Sequence, residues 1–187
     1  MTTAGTRRRA PASRRAARKP ARSIRPQIAI LIEAPEWRRH VRNVAAVAER
    51  AAQAALAAQH KAGRLELCLV LADDRAVRRL NRTWRGQNKP TNVLSFPAAG
   101  AGGLAPGLPP GEPVPLGDVV IASGVTVAEA KAQGKAVDAH LAHLVVHGVL
   151  HLLGHDHERD AEAVRMEALE TRILKGLGVP DPYRGTR

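Results

Sequence analysis

Cysteine is almost missing from this chain: Cys68 is the only one in 187 residues. That excludes an intramolecular disulfide framework and any multi-cysteine zinc site, and it suits a reducing compartment. Aromatic residues are scarce too, at 2%, which argues against a binding mode that stacks many nucleic-acid bases on Phe, Tyr or Trp. No uncharged apolar run reaches the roughly 18 residues that a membrane span needs. No secretory apolar segment stands near the start, so the expected compartment is the cytoplasm. Acids are absent from residues 1–26, which carry nine cations. The whole chain has a net charge of +12, so +3 (12 minus 9) remains for the other 161 residues.

What is present fits one domain with a tail. Apart from Met1 and Ile24, residues 1–26 consist of Arg and Lys among Ala, Pro, Ser, Thr and Gly. With almost no large apolar side chains, the segment cannot offset its ordering entropy, and it is expected to be a disordered basic arm able to hold phosphates non-specifically. From Gln27 onward, 44% apolar content over the whole chain is enough for a core. Gln27–Ile32, Arg64–Leu71, Asn92–Phe96 and Asp118–Ala122 read as strands. Helices are expected over Trp37–Lys61, from Asp73/Asp74 to about Trp84, and over Val125–Gln133, Val137–Leu153 and Ala161–Leu174. In the last of these, Val164, Leu169 and Ile173 are placed on the apolar side. Residues 98–115, rich in Gly and Pro, read as a mobile loop. Interspersed strands and helices give an α+β class, a small mixed β-sheet packed with helices.

Chemistry concentrates in the histidines. Five of the eight, His143, His147, His151, His155 and His157, lie within fifteen residues. His147 and His151 are four apart on an expected helix, so they sit about one turn apart on one face. Gly154 stands where that helix should stop, since glycine takes the left-handed C′ conformation without penalty. A histidine just beyond can then swing back, giving His-x-x-x-His-x-x-Gly-x-x-His with His157 as third ligand and His155 as its rival. Three neutral imidazoles suit Zn²⁺, with the fourth position left for water. His143, one turn earlier, could orient a ligand or substrate, or simply belong to the helix face. Asp156 could bond a ligand imidazole but is better placed to cap the turn.

Zinc peptidases of the His-Glu-x-x-His type carry their general base beside the first ligand. Here that position is Gly148. Losing that base is a serious deficit for cleaving peptides, whereas a phosphodiester needs a Lewis acid and cations aimed at developing charge on phosphorus oxygens. Arg85 is the candidate cation, in LNRTWRGQNKPTNVLSFP (residues 80–97), with Lys89 and Ser95 as weaker site candidates.

HGVLHLLGHDH, LNRTWRGQNKPTNVLSFP and LGDVVIAS together resemble the YbeY family of bacterial endoribonucleases, the rRNA maturation factors, over Gln27 to the end of the chain. The resemblance implies one zinc on His147, His151 and His157, with Arg85 holding the scissile phosphate. It implies hydrolysis of single-stranded RNA in late 16S rRNA 3′-end maturation and ribosome quality control, with rRNA precursor and small subunit as partners. Two departures stand out: His155 occupies a position usually aromatic in the family, and Ser123 one often held by cysteine. Two other readings share the pattern: a zinc metallopeptidase-like hydrolase, and a non-catalytic ribosome-assembly factor with structural zinc.

Overall fold

The computed structural model describes residues 26–58, 65–98, 112–156 and 159–184. Nearly all of the basic arm, residues 99–111 of the expected loop, and His157 therefore lie outside the described residues. Four strands form one mixed sheet: β1 (Gln27–Ile32), β2 (Leu65–Ala72), β3 (Val93–Pro97) and β4 (Val114–Ala122), in the order β1-β2-β4-β3. β1 and β4 both run parallel to β2, while β3 pairs antiparallel with β4 and forms one edge.

β4 begins earlier than the sequence suggests. Val114 and Pro115 pair with Leu65 and Glu66, so the expected loop gives up its last residues to the sheet. A register shift at Glu66/Leu67 accommodates the irregular start, and Gly117 takes φ +124°. A Cβ there would run into the Phe96 carbonyl, which is why β3 can approach.

Alternation divides the sheet into two faces. Val119 and Ile121 face the larger core, against α1 (Trp37–His40), α2 (Val44–Ala57), α5 (Val137–Leu152) and α6 (Asp160–Gly176). Val120 and Ala122 face a smaller core with Val77 of α3 (Asp74–Arg85); Val125 of α4 (Ser123–Ala132) packs against it. The long expected helix 37–61 is broken after His40. Asn43 adopts a left-handed conformation at φ +54°, and α2 restarts at Val44. Trp37, Val41, Val44, Ala48 and Ala51 are nonetheless all buried. Trp37 donates its indole N–H to the Ala72 carbonyl at 3.2 Å, which satisfies the one polar atom of a fully buried ring.

Val164 is a second correction. It is 64% exposed, whereas Leu169 and Ile173 are buried as expected; Met166 and Leu174 complete the apolar stripe of α6 in its place. No helix among the described residues is long and apolar enough to cross a membrane.

Candidate active site

α5 supplies one wall of a cleft. It is apolar through most of its length and packs between the sheet and α2, so its imidazoles emerge along a single stripe at positions 140, 143, 147 and 151. Its end is a Schellman motif: the Gly154 N–H bonds the His151 carbonyl and the His155 N–H bonds the Leu150 carbonyl, each at 3.0 Å, with Gly154 at φ +90°. The chain reverses there, and His155 and Asp156 return to the cleft wall. The expectation of a glycine stop is met. His157 lies outside the described residues.

The cleft has a volume of about 730 Å³ and lies along β3, the sheet edge. His147, His151, Gly154, His155 and Asp156 line one side; Arg85, Thr91, Asn92, Ser95 and Pro97 line the other. Arg85 ends α3, and Gly86 caps that helix in the left-handed conformation at φ +68°. Asn81, 1% exposed, donates its amide to the Lys89 carbonyl at 2.8 Å and so ties the turn after Arg85 back to the helix. Lys89 contributes that carbonyl; it does not line the cleft. Ser95 does line it, but its hydroxyl is committed to the Gly148 carbonyl at 3.1 Å.

That contact explains the missing glutamate. A Cβ on Gly148 would lie 2.6 Å from Val119 Cγ1 and 3.2 Å from the Ser95 hydroxyl. α5 sits too close to β3 and β4 for any side chain at this position, so a general base in the peptidase position has no room.

The imidazoles are held from behind by a buried carboxylate that the sequence reading missed. Glu170 of α6 is 0% exposed. One of its oxygens lies 2.8 Å from His147 Nδ1; the other lies 3.1 Å from His143 Nε2 and accepts a bond from the Tyr183 hydroxyl. Burial alone would raise the Glu170 pKa. Hydrogen bonds from His143, His147 and Tyr183 outweigh it and hold the group at about 2. The same contact pushes the Tyr183 hydroxyl well above its ordinary range, burial being the larger cause. An ionised Glu170 requires the proton of His147 on Nδ1, which leaves the Nε2 lone pair directed at the cleft.

His147 Nε2 and His151 Nε2 converge to 3.1 Å. Two nitrogens bound to one tetrahedral zinc would be about 3.3 Å apart. This pair has the chemistry and spacing of two ligands to one divalent ion; among the described residues no third His, Cys, Asp or Glu joins them. His143 does not reach the cleft wall; it touches Glu170 and so acts on His147 at one remove. A second pair lies one turn deeper, where the buried His140 Nε2 meets the half-buried Glu129 at 2.9 Å. Glu129 also accepts from Asn92 of the cleft wall at 3.0 Å.

A family model described as Endoribonuclease YbeY matches residues 31–178. The chain belongs to the YbeY endoribonuclease family. It is 51% identical over 158 residues to the endoribonuclease YbeY of Paramagnetospirillum magneticum, covering 84% of this chain and 95% of that one. Against the endoribonuclease YbeY of Nitrobacter winogradskyi it is 48% identical over 162 residues, or 87% and 84% of the two chains. The solution structure of a Thermotoga maritima protein matches with a TM-score of 0.52 at 23% identity, covering 80% of this chain and 87% of that one; it bears on the fold alone. Glu170 and Tyr183 carry no local signal in the sequence: a Glu beside Leu169 on α6 looks like a solvated one until the helix packs on α5.

Proposed function

We propose that this member of the YbeY family is a zinc-dependent endoribonuclease specific for single strands, acting in late 16S rRNA 3′-end maturation and ribosome quality control. Family membership supports the RNA-cutting activity. The observation that carries the chemistry is one cleft with an oriented imidazole pair on one wall and Arg85 on the other. His147, His151 and His157 would hold the zinc, which when bound supplies Lewis acidity toward a phosphate oxygen or a water.

The chain's own residues do the rest. Glu170 fixes the tautomer and direction of His147. Arg85 neutralises the non-bridging oxygens of the scissile phosphate as charge builds there, and the turn tied by Asn81 holds Arg85 at the rim. The metallopeptidase reading is disfavoured by the crowding at Gly148, which bars a base beside the first ligand. The structural-zinc reading requires a fourth protein ligand closing the site.

The deciding assay incubates the full chain with single- and double-stranded RNA and with casein, with and without a chelator. Cleavage of the single strand alone, lost on chelation and regained with added zinc, is the expected result. Arg85→Ala should lower turnover about 100- to 1,000-fold while zinc stays bound. A variant that cuts at the wild-type rate overturns the role of Arg85, and RNA cleavage unaffected by chelation overturns the zinc.

A further inference from the structure

α3 carries an apolar stripe that outruns the core. Val77 is fully buried, Leu80 half-buried, and Trp84, seven residues after Val77 on the same face, is 69% exposed. The last turn of the helix holds the indole in solvent. Among the described residues its ring neighbour is Phe96 of β3, edge-on at 6.0 Å. A scattered exposed hydrophobe needs no explanation, but the surroundings of this one do. Residues 75–97 contain six cations, Arg75, Arg78, Arg79, Arg82, Arg85 and Lys89, and no Asp or Glu. All six are exposed. That segment alone exceeds the net +3 carried by everything beyond the arm. Arg85, next to Trp84 in the chain, lines the cleft.

We infer that Trp84, braced by Phe96, is a stacking platform for one unpaired base of the RNA strand entering the cleft. The reading rests on the endoribonuclease function proposed above and adds a positioning subsite to it. A flat π-face inside a field of cations matches a polyanion whose bases are unstacked, because phosphates satisfy the arginines while a base covers the indole. A duplex keeps its bases paired and stacked, so the platform favours single strands. Scarcity of aromatics excludes a many-base stack; one exposed indole at the rim suffices for one base.

The test uses the full chain loaded with zinc. Trp37 is fully buried, so quenchable emission comes from Trp84, and titration with a uridine decamer should quench it. Trp84→Ala should raise KM for that decamer about five- to 150-fold with little change in kcat, and Trp84→Phe should recover most of the loss. A decamer with abasic positions, which keeps the phosphates, should bind wild type and Trp84→Ala alike. Absent quenching, an unchanged KM in Trp84→Ala, or an equal loss on intact and abasic strands overturns the platform while leaving the nuclease reading in place. A wild-type chain that neither binds nor cuts the decamer overturns the nuclease reading itself.

Discussion

The two walls of the cleft are built on opposite principles. On the α5 wall, His147 is tied by a buried carboxylate to a fixed tautomer, and that carboxylate is tied in turn to His143 and Tyr183. On the opposite wall, Arg85 is exposed at the end of α3, next in the chain to the exposed Trp84; the nearby order comes from backbone, through Asn81 and the Gly86 cap. The proposed zinc would need ligands placed within tenths of an ångström, which a wall preorganised from behind supplies. A flexible polyanion is met by long cationic side chains that keep their freedom until it arrives. Precision is concentrated where coordination geometry sets the tolerance.

Disrupting the precise wall should do the most damage. His147→Ala or His151→Ala is expected to abolish zinc binding, read by metal analysis of the purified protein, and to cut RNA cleavage about a thousandfold or more. Retained stoichiometric zinc in either variant would contradict the α5 assignment. Glu170→Gln keeps the shape but loses the charge that holds the His147 proton on Nδ1. Zinc affinity measured by chelator competition should fall about 10- to 100-fold, with the fold preserved. An unchanged affinity would reduce Glu170 to a packing residue. Gly148→Ala tests the closeness of α5 to the sheet edge. The added methyl meets Val119 at 2.6 Å, and a stability loss of about 1–3 kcal/mol is expected in urea unfolding. A neutral outcome would show that the helix can yield and that the peptidase position is not barred by space.

The same contrast decides what the sequence makes legible. The His147/His151 pair, the glycine stop and the strands are visible because they obey local periodicities of 3.6 and 2 or a single conformational need. Glu170 is nineteen residues after His151 on another helix, and nothing local distinguishes it from a solvated glutamate; only packing of α6 on α5 buries it. The break at Asn43 was hidden because the apolar stripe of Trp37, Val41, Val44 and Ala48 keeps a helical spacing through it. Val114 and Pro115 read as loop because strand pairing, a tertiary event, overrides a Gly/Pro-rich composition. Trp84 was readable only as the end of an expected helix; that its ring leaves the core is set by tertiary packing.

The smallest expected effect lies at the buried end of the α5 ladder, where His140 tests how far preorganisation extends from the cleft. Its ring is 3% exposed and faces Glu129, with His143 and Lys135 nearby. Burial pushes its pKa below the ordinary 6.5, and His143 and Lys135 add to this; the Glu129 carboxylate opposes them without prevailing. A native pKa below the unfolded one means that the unfolded chain takes up the proton first. Stability at this residue is therefore intact at pH 7.5 and declines as pH falls through about 6.5. His140→Gln removes the titration and keeps an amide N–H to donate to Glu129. The difference in Tm between pH 7.5 and pH 5.5 should narrow in this variant, while zinc affinity at pH 7.5 stays within about twofold of wild type, because Glu129 bonds Asn92 whereas Glu170 bonds His147. An affinity loss as large as that of Glu170→Gln would mean that the two carboxylates act as one unit, and that the rigid wall reaches through the whole helix.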